Sequence, residues 1–569
     1  MDRGRRPDHR PRPGGPIASA SAPLRARPDG LIDADAMPAF PLMAPRLQGE
    51  LGPDGTLRLA VWGVGEAGSL RIAGLAGPFV VAPNRLRGEG GAAGLALAQS
   101  APVLAIRGAR AERVHIEGAG HMVVAPRPEG LLVAAGMDAA EAQQGLALDF
   151  AQIEREADAY AAACDLLPSA DPLLRGLVIQ GAHAARSSVR GYPNGAFAGL
   201  SAGLAYSSPP RTYYRDGYWT MPLLLRLDPA VAAAQIDLLA THVQDDGEAP
   251  SGVIIACPHA EAFEALRLTE PALAAAHWRP GEWWSDHFDS PLFFVLAIGD
   301  HAATTGDDAL ARRHWPKLTA IFRRYLALRG PDGLPVKPHN DRDWADNVFR
   351  QGLVSYDLGL WVGALEVLSR LGATIDAALA AEAEGEAAAA RAAIDRTLRR
   401  DGVMVDYLRS DGWAEPHLAL DAMTLLRFDA VADERAQVML EQAREHLESR
   451  RNADQPYGDF GMLSVWPPFA DRAALRAKSA FPYRYHNGGD WPWLDGLYAA
   501  ERLRRDLGGW RYPLVRWWAA CLERGWAGPV EHFSAPFGRG SLLQAWSSLP
   551  AAVALTWAER VLAGDPGEA

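Results

Sequence analysis

The sequence predicts a mainly α protein, an (α/α)6 barrel of six helical hairpins closed into a toroid, preceded by a smaller antiparallel β-sandwich domain. Three observations carry the prediction. Short β-prone runs with turn residues between them fill the stretch from about Leu47 to Leu148. Helical patterning rich in Ala, Leu, Arg and Glu takes over near Ile153 and continues along the chain. The unusual polar and aromatic residues of that second region fall at helix starts and leave the helix bodies bland. With 569 residues and 49% hydrophobic content, the chain can bury cores of this size. The expected division is a tail over 1–36, a β-sandwich over 37–152 and the barrel over 153–569.

Residues 1–36 are rich in Arg, Pro and Gly and lack a continuous apolar run, so they read as a disordered tail rather than a secretory signal, with Met37 and Met43 as alternative starts. The runs LRLAVWGV, SLRIAG, FVVAP, VLAIRG, RVHIEG, HMVVAP and GLLVAAG then have the length and spacing of antiparallel sandwich strands. No titratable constellation lies within them, which predicts a supporting role for this domain. GEGGAAG, at 88–94, lacks the Lys-Ser/Thr of a phosphate loop and sits among strands, against nucleotide binding. Beyond Ile153, helix starts are expected near Pro172, Asp216, Pro229, Ser290, Asp307, Ser355, Thr374, Leu418, Asp433, Trp491, Tyr512 and Leu542, which is twelve helices or six hairpins.

The formal charge of −12 disfavours nucleic acid and an anionic membrane as partners, since both reward basic surfaces. No run of roughly 18 uninterrupted apolar residues predicts a membrane span. Cys164, Cys257 and Cys521 lie far apart without metal-ligand spacing, so neither a disulfide framework, a metal nor a cofactor is indicated, and a reducing cytoplasm fits best. No oligomeric state follows from the sequence.

Seven stretches at helix starts hold the candidate chemistry: RTYYRDGYWT (211–220), DDGEAPSG (245–252), GEWWSDHFDS (281–290), DRDWADNVFR (341–350), DGWAEPHLAL (411–420), YHNGGDWPW (485–493) and EHFSAPFGRGS (531–541). Helix capping explains single Asp or Ser residues at such places but not so many tryptophans beside them. Sugars present hydroxyls around the ring and C–H bonds on its faces, so a sugar site combines hydrogen-bonding side chains with aromatic platforms. Tyr485, His486, Asn487, Trp491 and Trp493 provide that combination within nine residues. For glycoside hydrolysis two carboxyl groups are needed. In DRDWADN, repulsion among Asp341, Asp343 and Asp346 and shielding by Trp344 are expected to raise one pKa. Glu531 is a second carboxylate, distant in sequence.

Together these motifs resemble the amylo-α-1,6-glucosidase domain of glycogen-debranching enzymes, within the wider group of (α/α)6 glycosidases that includes trehalases. The resemblance runs from about residue 195 to the C-terminus, in the segments RDGYWTMPLLL, DGEAPSG, HFDSPLFF, DWADN, AEPHLALDAMTLL, YHNGGDWPWLDG and GSLLQAWS. It implies an inverting glycoside hydrolase of carbohydrate metabolism that removes a terminal, α-glucosidic sugar. Asp346 would be its general acid and Glu531 its general base, with Asp343 as the fallback acid. Arg215, Asp216, Trp284, Asp289, Trp344 and the Tyr485-to-Trp493 group would surround the sugar. Departures fall at Ala345 and Asn347, at Pro416-His417 and in HFSAPFGRG, which leaves open a mannoside, a trehalose-like disaccharide or a fructoside as substrate. A carbohydrate-binding protein without catalysis is the alternative from another class.

Overall fold

Thirteen antiparallel strands between Leu24 and Gly136 form the first part of the chain in a computed structural model that describes residues 22–116, 118–167, 171–206, 209–255 and 279–563. Residues 1–21 of the expected tail, Cys257 and residues 564–569 lie outside the described residues. The first six strands are β1 (Leu24–Ala26), β2 (Ile32–Ala34), β3 (Phe40–Met43), β4 (Leu47–Leu51), β5 (Thr56–Val61) and β6 (Gly65–Ala73). One sheet has eight strands; the other has five, in the order Arg110–His115, β6, β5, β4, β3. In β5, Leu57, Leu59 and Val61 are buried while Thr56, Arg58 and Ala60 point outward, the period of two that a half-covered sheet requires. Beside it in β4, Gln48 and Gly49 are buried as well, because the helical region covers that face.

The expectation of a disordered tail fails for residues 22–36. Strand β1 pairs with β2, and β2 pairs with Phe79–Ala82, so both belong to the eight-stranded sheet. Leu24, Ile32 and Ala34 are buried. The arginines that made the stretch look like a solvated tail are matched by acids: Arg25 pairs with Asp35, and Arg27 with Asp29 and Asp33. Composition counted the charges and missed their pairing across one hairpin.

Helix α1 (Ala139–Gly145) caps the sheet, and α2 (Phe150–Ala163) lays Phe150, Ile153 and Ala157 on it, starting on the Asp149 side chain as N-cap. The helical patterning that begins near Ile153 therefore starts with a helix of the β-domain. Among the described residues, twelve further α-helices alternate between an outer and an inner position. They are α3 (Pro172–Ser188) and α4 (Tyr214–Leu227), α5 (Pro229–Ala240) and α6 (Ser290–Thr305), α7 (Ala309–Ala327) and α8 (Ser355–Ile375), α9 (Ala377–Thr397) and α10 (Thr424–Arg427), α11 (Asp433–His446) and α12 (Pro492–Arg504), and α13 (Arg511–Glu523) and α14 (Leu549–Leu562). The inner members touch in succession, α4 to α6, α8, α10, α12 and α14, and α14 returns to α4. Helix α8 is long and apolar enough to cross a membrane, but 67% of its most apolar window is buried among its neighbours, as for a core helix. Residues of the functional stretches stand at the N-terminal ends of these inner helices: Arg215 and Asp216 on α4, Asp289 before α6, and Trp491 before α12.

Deleting residues 1–36 strips β1 and β2 from the sheet and uncovers Phe79–Ala82. With two large buried side chains removed, the truncated protein should lose about 3 kcal/mol or more of stability. Denaturant unfolding of the two forms measures this, and equal midpoints would show that the hairpin adds nothing.

Candidate functional site

Short backbone pairings bring the distant stretches together. A three-stranded sheet of Arg211–Tyr213, Gly252–Ile254 and Glu282–Trp283 joins three of them. Asp490 and Phe533 exchange backbone hydrogen bonds of 2.7 and 2.9 Å, and the Ser534 hydroxyl accepts the Tyr485 amide at 3.2 Å, which sets the 485–491 loop beside the 531–541 loop. Between them lies a cavity of about 170 Å³. Of the expected residues, Arg215, Asp216, Trp284, Trp344, Asp346, Tyr485, His486, Trp491 and Glu531 line it. Trp284 and Tyr485 hold φ of 54° and 55°, a left-handed backbone costly for aromatic residues and common where a site is held in shape.

Asp346 is reached from the cavity, with a quarter of its side chain exposed. Its Oδ1 lies 3.0 Å from His486 Nε2 and accepts the Asn347 amide at 2.8 Å. Burial pushes its pKa up, but His486, the Arg215 charge and Asn347 outweigh burial and hold the carboxyl below its usual range. His486 is itself kept neutral by burial, so its Nε2–H donates to Asp346 while the ring stacks on Trp491 at 4.9 Å and 5°. Glu531 behaves in the opposite sense. Burial raises its pKa, repulsion from Asp346 adds to this, and the Ser541 amide, Lys478 and Tyr206 oppose it only in part. Tyr206 donates to its Oε1 at 2.9 Å and the Ser541 amide to its Oε2 at 3.0 Å. Gly540 follows because a Cβ there would stand 2.4 Å from Glu531 Oε2. Asp216, a third carboxyl in the cavity, accepts Gln544 at 2.9 Å; burial first, then Glu531 and Asp346 against Arg215, push its pKa up to about 7.

Several expected residues stand behind the cavity rather than in it. Asp289 is fully buried and anchors Arg215 at 3.0 Å, with His287 at 2.6 Å and the Tyr356 hydroxyl at 3.0 Å on its other bonds. Asn487 is tied to the Phe469 amide and the Ser479 carbonyl, both at 3.0 Å. Trp493 stacks on Trp219 at 5.0 Å and meets Trp344 edge-on at 5.3 Å. Asp343 is excluded as the fallback acid. It is fully buried between Arg350 at 3.2 Å and Lys337 at 3.6 Å, and these cations hold it well below the carboxylate range despite burial. The expected repulsion within DRDWADN thus gives way to cations supplied by other segments. Asp341 pairs with Arg476 and Arg342.

Tyr206 was not singled out by sequence, lying in GLAYSSPP with no charged or aromatic neighbour to mark it. Arg211, Tyr213, Ser251, Trp283 and Trp546 also line the cavity, each from a stretch already identified, so proximity to a marked residue was their only signal. A larger cavity, about 360 Å³, opens between the far ends of α4, α12 and α14, on the other side of Trp219, and Glu501 is its sole lining carboxylate. It lacks the acid pair.

Beneath the site, Asp490 and Asp495 are buried together, and burial with repulsion from Asp490 pushes Asp495 well above the carboxylate range. Burial pushes Asp490 up to about 7, only partly opposed by the neighbouring Asp495 and by the Met462 amide at 3.0 Å. A raised folded pKa gives stability that is present below the unfolded value near 3.8 and is lost as pH rises through about 7. Between pH 4 and 8, wild type should therefore lose on the order of 2 kcal/mol that Asp490→Asn does not. Superimposable Tm-versus-pH curves for the two proteins would contradict the pairing.

No protein-family description matches the chain, and no curated protein matches it. Solved structures do. A bacterial glucoamylase complexed with acarbose superposes with a TM-score of 0.57 at 11% identity, over 95% of this chain and 96% of its own. A rhamnosidase from Klebsiella oxytoca with rhamnose bound gives 0.51 at 14%, over 94% of both chains. A mannosylglycerate hydrolase of glycoside hydrolase family 63 from Thermus thermophilus, in complex with glucose, gives 0.48 at 14%, over 67% of this chain and 99% of its own. At such identities the likeness is one of fold, which this chain shares with the first two over nearly its whole length.

Proposed function

We propose that the protein is an inverting glycoside hydrolase on an (α/α)6 barrel that removes a terminal sugar from an oligosaccharide, with Asp346 and Glu531 as its carboxyl pair. The observation that carries this reading is the shared cavity. Two carboxyl groups from distant loops line one pocket together with Arg215, Trp344 and Trp491. Its volume of about 170 Å³ suits one sugar ring, and the inner end is closed by buried side chains, so a chain terminus rather than a chain interior enters. The ring fits among tryptophan faces while Arg215, fixed by Asp289, and Asp216 meet its hydroxyls.

In the reaction, one carboxylic acid protonates the glycosidic oxygen as the C–O bond breaks. The other carboxylate takes a proton from water attacking the opposite face, and the sugar leaves with inverted configuration. Motif by motif, the resemblance to amylo-α-1,6-glucosidases makes Asp346 the acid, Glu531 the base and an α-glucoside the substrate. One feature favours the reverse assignment of the carboxyls: His486, Arg215 and Asn347 hold Asp346 below its usual range, while burial pushes Glu531 above its own.

Asp346→Asn and Glu531→Gln should each keep the fold and lower kcat on an oligosaccharide by about 10² to 10⁴-fold. A dinitrophenyl glycoside separates the roles, because its leaving group departs without a proton. The variant lacking the general acid retains far more activity on that substrate than the variant lacking the base. NMR of the first-formed anomer reads the stereochemistry; a retained configuration, or full turnover in either variant, would refute the proposal.

A further inference from the structure

The catalytic cavity shares Tyr206, Tyr485 and Glu531 with a second chamber of about 760 Å³. Its other wall is the β-sandwich, the domain in which the sequence shows no chemistry. Strands β4 to β6 present Gln48, Glu50, Arg58 and Glu66 to this space, and the helical region presents Lys478 and Arg539. The wall is fastened in place. Glu50 pairs at 2.7 Å with Arg539, on the hairpin that follows Glu531, while Gln48 donates to the Leu204 carbonyl at 2.6 Å and accepts Arg190 at 2.8 Å. The two spaces meet at Tyr206, Tyr485 and Glu531, so a sugar whose scissile bond lies beside Glu531 would direct its leaving group toward this chamber.

The charges of the chamber define what it takes. Glu50 and Arg539 neutralise each other. Arg58 and Glu66 form no ion pair or side-chain hydrogen bond with any described residue, and Lys478 has none either, resting over the Tyr485 ring at 4.7 Å. With Glu531 included, Arg58, Lys478 and Arg539 stand with Glu50, Glu66 and Glu531, a lining that carries hydrogen-bond donors and acceptors in equal number of side chains. Hydroxyl groups donate and accept at once and match such a lining. An aryl or alkyl group would desolvate the charges without replacing their hydrogen bonds. A carboxylate or phosphate would meet Glu66 and Glu531 as well as the cations.

We propose that this chamber is the leaving-group subsite and that the β-sandwich reads the aglycone there through Arg58 and Glu66, selecting a neutral, hydroxylated group, a second sugar or a polyol. The proposal rests on the glycosidase reading of the inner cavity. The test compares kcat/KM of wild type and the Arg58→Ala/Glu66→Gln double variant on a disaccharide and on a nitrophenyl glycoside of the same sugar. Loss of charged hydrogen bonds to the aglycone should lower the disaccharide value about tenfold or more beyond any change on the nitrophenyl substrate, chiefly through KM. Equal changes on both substrates, or none on either, overturn it, as does a wild type that prefers an aglycone carrying a carboxylate. If wild type cleaves neither substrate, the glycosidase reading fails on its own, and the chamber is read by thermal stabilisation with disaccharide. Stabilisation that the double variant loses supports the chamber, and stabilisation equal in both proteins or absent from wild type overturns it.

Discussion

The Arg350 guanidinium is the contact on which the site depends. It is 1% exposed and bonds Asp343, Asp406 and Asp421, the last two at 2.8 and 2.6 Å. Asp421 also accepts the Trp344 indole N–H at 2.5 Å, and Asp406 accepts His417 at 2.9 Å. Two connections, the one between α7 and α8 that holds Asp343 and Arg350 and the one between α9 and α10 that holds Asp406 and Asp421, are thereby tied by one cation. Buried ion pairs gain little over a well-packed apolar core, so this cluster is better understood as geometry than as stability. Its product is the fixed loop 343–350, from which Trp344 and Asp346 reach the cavity. His417, raised to about 9 because Asp406 and Glu415 outweigh its burial, joins Arg350 and Lys337 in the same network.

Above this anchor the site is held by rings. Trp344 meets His486, Trp491 and Trp493 edge-on at 4.6 to 5.3 Å, and Trp493 continues the packing to Trp219. Aromatic contacts of this kind have few rotamers and resist small shifts. They allow the left-handed backbone of Tyr485, packed on His486 and Trp491, to persist, since an isolated loop would relax it. The rigid layer therefore does two things at once: it shapes the pocket and it aims the His486 N–H at Asp346.

What was legible in the sequence was periodicity and local clustering. Most of the twelve expected helix starts fall within three residues of the observed ones, because Pro172, Pro229, Ser290 and Ser355 carry their own start signals. Near Leu418 and Leu542 the miss is larger, since each stretch first forms a 3-10 turn, over Leu420–Met423 and Ala545–Ser548. The stretches that meet at the cavity were visible as clusters. Illegible was the partner of each charged group. Asp343 and Asp346 are alike in sequence, three residues apart beside Trp344, yet one faces Arg350 and the other His486, contributed from the far end of the chain. The same blindness made the hairpin of β1 and β2 look disordered, and hid Asp289 and Asn487 behind the pocket they support.

Three carboxyl groups, Asp216, Asp346 and Glu531, share a cavity with two guanidiniums, Arg211 and Arg215. Their interaction makes the titration a property of the set. His486 and Asn347 favour charge on Asp346, while burial pushes Glu531 and Asp216 upward. A protein that separates its two carboxyls into unlike surroundings, one beside an imidazole and one beside a phenol and a backbone amide, has already made them inequivalent before substrate arrives, and that inequivalence is what a two-carboxylate reaction requires.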